Sequence, residues 1–170
     1  DDGIVLDEKV YQSEMSHISR NRAIAYLLES KGYIEKNKDV ENSLHFYVKM
    51  CSLSVTAESL AGLGLILAND GIHPDTGKRL LSSQAVKIVK TLMFTCGMYD
   101  GSGEFAVRVG IPSKSGVGGG ILSVVDGEMG IGIFGPALDK KGNSVAGECV
   151  LEYMSHELHL HMFDPQRHTL

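Results

Sequence analysis

Gly118-Gly-Gly-Ile-Leu-Ser-Val-Val125-Asp126-Gly127-Glu128-Met129-Gly130-Ile131-Gly132-Ile133-Phe134-Gly135 reads as an antiparallel hairpin. Its first arm, from about Gly118 to Val125, is rich in aliphatic and β-branched residues. Asp126-Gly127 is a strong two-residue turn signal, because both central positions of such a turn need positive φ. In the return arm Met129, Ile131 and Ile133 fall on one face and Gly130 and Gly132 on the other. A glycine face has no side chains to pack, so another element is expected close against it.

Outward from the hairpin, the loop Pro136 to Asn143 leads into a last helix, expected from about Ser144 to Met162, with Val150, Met154 and Leu158 as its apolar face. On the other side, Phe105, Val107 and Val109 alternate with Glu104, Ala106 and Arg108, the period of a strand. Before Gly97 the period is 3.6. Ser19 is expected to cap a helix from Arg20 to Lys31 whose stripe is Ile24, Leu27 and Leu28, closed by Gly32. Asp39 should cap a second, with Leu44, Tyr47, Val48 and Cys51 on one face. A third runs from near Thr56 to Asn69, stopped by Asp70-Gly71; its Gly62 and Gly64 each cost roughly 1 kcal/mol relative to Ala, and such glycines let another element approach. His73 to Gly77 is a turn. Ser82 caps a fourth helix to about Thr95, with Val86, Val89 and Met93 on one side. The expectation is one partial domain over 1–170, mainly helical over 1–96 and strand-rich with a C-terminal helix over 97–170: an α/β (α+β) fold.

Hydrophobic residues make up 43% and charged residues 22% of the chain, ordinary values for a globular protein. The net charge of −5 is scattered, with no basic footprint for nucleic acid or an anionic membrane. Cys51, Cys96 and Cys149 form no C-x-x-C pair and read as reduced thiols in a cytoplasmic setting. The apolar run Leu63 to Ala68 is too short to span a bilayer. No signal-peptide pattern is expected, and the opening Asp1-Asp2-Gly3 reads as a processed, engineered or internal start.

Four motifs bear on chemistry. Gly130-Ile-Gly132-Ile-Phe-Gly135 has the spacing of a dinucleotide loop, but it sits in a strand and precedes Pro136 instead of opening a helix, so it reads as strand packing. His156, His159 and His161 lack H-E-x-x-H spacing, since Leu160 stands where the second ligand belongs; they read as a polar face, with no metal expected. Gly116-Val-Gly118-Gly-Gly120 follows Lys114-Ser115 in the reverse of a Walker order, yet glycines beside a strand open its N–H groups to a ligand, the requirement of an oxyanion hole. Lys114-Ser115-Gly116 has the K-[ST]-G form that penicilloyl-serine enzymes carry on an active-site strand, paired with S-x-x-K. None of the chain's lysines has a serine three residues before it.

The run Gly103-Glu-Phe-Ala…Gly110-Ile-Pro-Ser-Lys114-Ser-Gly-Val117-Gly-Gly-Gly, continued by Leu138-Asp-Lys-Lys-Gly-Asn-Ser-Val145, closely resembles the glutaminase family. So do Val10-Tyr-Gln-Ser-Glu14, Arg20-Asn21, Phe46-Tyr47…Cys51-Ser and Cys96-Gly-Met-Tyr99-Asp. The stretch Met15 to Ser19 departs from the family's small and acidic run. The resemblance covers nearly the whole chain and implies a β-lactamase/transpeptidase-like fold. It also implies hydrolysis of L-glutamine to L-glutamate and ammonia through an acyl-serine, with no cofactor. The serine and the lysine three residues after it would lie upstream of Asp1.

Carried residue by residue, the resemblance makes Glu14 the group that holds the substrate α-ammonium, and Asn21 and Tyr47 contacts to the amino-acid end. Tyr99 becomes the proton relay near the nucleophile. Val117 supplies a backbone N–H to the oxyanion hole, supported by Lys114, Ser115 and Gly116. The residues themselves allow plainer readings. Asn21 suits any helix N-terminus, Tyr47 lies on an apolar stripe, and Glu14 offsets a helix dipole. The family commonly forms homodimers or homotetramers. Two other functions fit less of the sequence: a β-lactamase- or transpeptidase-like hydrolase, and a non-catalytic fragment acting through oligomerisation.

Overall fold

The computed structural model describes residues 3–35 and 39–167; residues 1–2, 36–38 and 168–170 of the expected domain lie outside the described residues. Backbone packing divides the chain into two compact units, Asp1–Val55 and Thr56–Leu170.

In the first unit, strand β1 (Val5–Leu6) pairs antiparallel with β2 (Leu53–Ser54), Val5 opposite Ser54. Between them lie helices α1 (Glu8–Ser16), α2 (Ser19–Ser30) and α3 (Val40–Cys51). Asp7 caps α1 by accepting from Lys9 N and Val10 N, and Asp39 caps α3 by accepting from Asn42 N at 3.0 Å, each satisfying N–H groups that a helix start leaves unpaired. The core is Tyr11, Ile18, Val40, Leu44 and Val48, backed by Met15, Ala25 and Ile34.

Three expectations change here. Ile18, not Ser19, precedes α2, and no side chain caps it. Ile24, Leu27 and Leu28 stay exposed, because α2 turns the offset face of Ile18, Arg22 and Ala25 inward, where Arg22 grips Glu41 with two bonds of 2.9 and 3.0 Å. On α3 the buried face is Val40, Leu44 and Val48, at i, i+4 and i+8, leaving Tyr47 and Cys51 exposed.

The second unit is built on a sheet of β3 (Ser113–Ser115), β4 (Gly120–Val125) and β5 (Met129–Phe134), antiparallel in that order, with Ser113 opposite Ser123 and Val125 opposite Met129. Alternate residues of β4 face opposite ways. Leu122 and Val124 pack with Leu67 and Ala68 of helix α4 (Ala57–Ala68) and with Val86 and Met93 of α5 (Ser83–Cys96). Ile121 and Val125 join Met98, Phe105, Val109, Ile111, Ile131, Leu151 and Leu160 on the other side. That second cluster draws on helices α6 (Ser102–Arg108) and α7 (Val145–Glu157).

Thr56, Ser82 and Ser144 cap α4, α5 and α7 with their hydroxyls. Asp70 and Gly71, at φ 50° and 78°, stop α4. The glycine face of β5 lies against α4. A Cβ on Gly130 would stand 2.2 Å from Ala61 O, and one on Gly64 2.8 Å from Gly130 Cα, whereas Gly62 faces open space.

Residues 102–108 form helix α6 where a strand was expected. Phe105 and Val109 are apolar at i and i+4, a spacing that fits either element. Val107 decides between them: a strand would bury it beside the other two, yet it is 78% exposed while Phe105 is 3% and Val109 0%. Arg108 then fastens α6 to α7 through Glu148 and Glu152 at 3.0 and 2.6 Å. The β4–β5 loop holds three residues, not two. Glu128 N bonds Val125 O, and Gly127 alone takes positive φ (75°), the type II arrangement. Helix α7 stops at Glu157, with His159 at φ 53° beyond it, and it buries Gly147, Leu151 and Ser155 while Val150 and Leu158 remain exposed. The small Gly147 and Ser155 are what admit the sheet: a Cβ on Gly147 would meet Ile121 Cδ1 at 2.8 Å, and Ser155 Oγ donates to Val109 O.

Candidate active site

β3 carries Lys114-Ser115-Gly116 into a tight turn. Ser115 N donates to Gly97 O at 3.0 Å, which ties the strand to the end of α5. Gly116 N donates to Gly120 O and Gly119 N to Gly116 O, both at 2.9 Å, closing the turn over Val117 and Gly118. The N–H groups of Val117 and Gly118 have no acceptor among the described residues. A Cβ on Gly118 would meet nothing within 4 Å. An exposed, unengaged N–H on a fixed turn is what an oxyanion donor requires.

Tyr99 opens one turn of 3-10 helix, Tyr99–Gly101, at φ +51°. A non-glycine residue there costs about 1–2 kcal/mol, so its surroundings must hold it. Ser102 Oγ accepts from Met98 N at 3.0 Å and donates to Tyr99 O at 2.8 Å. Met98 O accepts from Gly101 N at 3.0 Å and from Asn143 Nδ2 at 3.1 Å. Lys114 Nζ donates to Ser115 O and lies 4.9 Å from the centre of the Tyr99 ring, in range of a cation–π attraction.

Between Tyr99 and Val117 lies Gly142, at φ +96°. A Cβ built there would be 3.6 Å from both Tyr99 Cε2 and Val117 Cγ1. Its loop is folded by Asp139, whose carboxylate accepts from Lys141 N at 2.9 Å and Asn143 N at 2.8 Å. These N–H groups, Asn143 first, hold the Asp139 carboxyl below its usual range. Lys141 reaches across to Glu104 at 2.8 Å, lowering that carboxyl and raising its own ammonium.

The structure thus brings Tyr99, Lys114 and Val117 together within one unit. Glu14, Asn21 and Tyr47 belong to the other unit, on α1, α2 and α3 respectively; Glu14 is exposed, Asn21 half-buried, and Tyr47 51% exposed. Gly142, Asn143, Asp139 and Ser102 had no role assigned from the sequence. Asp139-Lys-Lys-Gly142-Asn143 does carry an Asp-x-x-Gly turn signature, but a turn signature says nothing about what the turn touches.

The histidines of the C-terminal segment line a separate cleft with Arg108 and Tyr153. There His159 Nδ1 lies 3.1 Å from Asp164, whose carboxyl is held low first by Gln166 N. No group of three or more His, Cys, Asp or Glu residues able to hold a metal occurs among the described residues. Gly130 and Gly132 lie in β5 and Gly135 directly follows it, so these glycines open no helix N-terminus for a dinucleotide.

A three-stranded antiparallel sheet between helical layers, with Lys-Ser-Gly on its edge strand, places the fold in the β-lactamase/transpeptidase-like class. A family model described as Glutaminase matches residues 1–163. Among curated relatives, a Glutaminase of Clostridium tetani is 57% identical over 160 residues, covering 94% of this chain and 52% of the relative. A Glutaminase of Fusobacterium nucleatum is 56% identical, covering 96% and 53%. The Bacillus subtilis glutaminase YbgJ, solved as a covalent complex with 5-oxo-L-norleucine, matches with a TM-score of 0.89 and 42% identity over 94% of this chain and 57% of that one. The chain belongs to the glutaminase family. It spans about half the length of the curated relatives it matches.

Proposed function

We propose that the protein containing this chain hydrolyses L-glutamine to L-glutamate and ammonia through an acyl-serine. The observation that carries the reading is the Tyr99 ring and the Val117 side chain flanking Gly142, with the Val117 N–H left unengaged beside them, in a chain of this family. The attacking serine and the lysine that deprotonates it lie outside this chain, which has no S-x-x-K. Serine Oγ attacks the side-chain amide carbon, and the Val117 N–H stabilises the oxyanion that forms. Tyr99 passes the proton that lets ammonia leave, and water then hydrolyses the ester. Glu14 pairs with the substrate ammonium while Asn21 and Tyr47 orient the amino-acid end. Lys114, Ser115 and Gly116 support the oxyanion turn. The reaction needs no cofactor or metal.

Residues 1–170 are then part of one catalytic domain in a homodimer or homotetramer acting in the cytoplasm, away from nucleic acid and membrane. Free Cys51, Cys96 and Cys149 support that compartment, and no helix among the described residues is long and apolar enough to cross a membrane. Ammonia release from glutamine by the full-length protein tests the reading. Tyr99→Phe should lower kcat by about 10²–10⁴-fold. Full turnover in that variant removes Tyr99 from the mechanism; nitrocefin hydrolysis without glutamine hydrolysis replaces the reading with a β-lactamase one.

A further inference from the structure

Asn143 is fully buried, yet its Oδ1 has no hydrogen-bond partner among the described residues. A buried, unpaired amide oxygen is unfavourable, and an apolar residue of similar size would avoid it. Its other end is engaged: Nδ2 donates to Met98 O, the carbonyl of the peptide leading into Tyr99. That acceptor is a carbonyl, so the group facing it must be the amide nitrogen. The same Asn143 is tied to Asp139 through its backbone N–H, and its neighbour Gly142 lies between the Tyr99 ring and the Val117 side chain, where a Cβ would be 3.6 Å from both. A single loop thus holds the strained backbone of Tyr99 and spaces its ring from the Val117 turn.

We propose that Asn143 is a positioning residue for Tyr99, and that the Asp139–Asn143 loop sets the distance between the proton relay and the oxyanion donor. The inference rests on the glutaminase reading for its kinetic consequence, but its geometric content stands apart from it. Without the Nδ2 bond, the φ +51° conformation of Tyr99 loses a support on its N-terminal side and the ring moves relative to Val117. Displacement of a reacting group by about 1 Å costs roughly 10²-fold in rate.

The test uses the full-length protein with 3-fluorotyrosine, the Tyr99 resonance being assigned with Tyr99→Phe. Asn143→Ala should shift or broaden that resonance and leave those of Tyr11 and Tyr153 in place. It should lower kcat by about 10²-fold with KM little changed. The double variant Asn143→Ala/Tyr99→Phe should turn over no more slowly than Tyr99→Phe alone, since a residue acting through Tyr99 has nothing further to lose. Gly142→Ala, at a half-buried site, should move the same resonance and serves where Asn143→Ala does not fold. An unmoved Tyr99 resonance in the folded variants, or losses that multiply in the double variant, overturns the proposal. A wild-type protein that releases no ammonia overturns the glutaminase reading instead, and the fluorine spectra still decide the positioning role.

Discussion

Gly132 of β5 lies so close to Ala57 of α4 that a Cβ on residue 132 would stand 1.9 Å from the Ala57 carbonyl oxygen. Backbone meets backbone there, and neither side has a rotamer to yield. Gly132→Ala should cost about 3 kcal/mol or more, the upper range for overpacking. Gly62 in α4 meets nothing within 4 Å, so Gly62→Ala should stabilise by about 0.5–1 kcal/mol through helix propensity. Urea unfolding of both variants reads the contrast; equal effects would disprove the close approach.

The assignment of 102–108 to a helix makes a parity prediction. Phe105→Ala should destabilise by about 3–5 kcal/mol, whereas Val107→Ser should change stability by no more than about 0.5 kcal/mol. A strand at this place would make both changes severe. Thermal denaturation of the two variants decides the matter.

Val117 is proposed to act through its N–H, so its side chain should be replaceable. Val117→Ala should keep turnover close to wild type. Val117→Pro, which removes the donor, should lower kcat by about 10²–10³-fold. A circular dichroism spectrum matching wild type excludes misfolding, and a slow Val117→Ala would mean the side chain matters.

The Asp139 carboxyl is held low by the N–H groups of its own loop. Its unfolded value is about 3.9, so the unfolded chain binds the proton more readily. The stabilisation is complete above that value and is lost as pH falls through the folded one. Lys141 is raised by Glu104, so its share is complete below about 10.4 and is lost as pH rises through its folded value. Loop stability should therefore form a plateau near neutrality with an acid limb. Asp139→Asn should flatten that limb in an unfolding series from about pH 5 to pH 2; an unchanged limb would show that Asp139 does not hold the loop.

Much of the architecture was legible because it is written locally. Asp39 and Ser82 cap helices where a short polar side chain meets an apolar period, and Thr56 and Ser144 stand at the expected starts of two more. The hairpin and its glycine face needed only the alternation of 118–135. The apolar faces of α2, α3 and α7 were misread because several stripes of similar hydrophobicity compete on one helix, and the choice among them belongs to the neighbour. On α2, Ala25 with the preceding Ile18 joins the core of the first unit; on α7, Gly147 admits Ile121.

The site divides the same way. The sequence by itself determined the family, the Lys114-Ser115-Gly116 strand, and the naming of Tyr99 and Val117, since these rest on residue types in order along the chain. Only the tertiary structure decided that 102–108 is helical, that Tyr99 stands in a left-handed conformation, and that Asn143 donates to the carbonyl before it. The bond from Asn143 to Met98 spans 45 residues, and the placing of Gly142 between Tyr99 and Val117 brings three separate loops together. Such relations depend on how the chain returns on itself, which a local pattern of hydrophobic and polar residues does not encode.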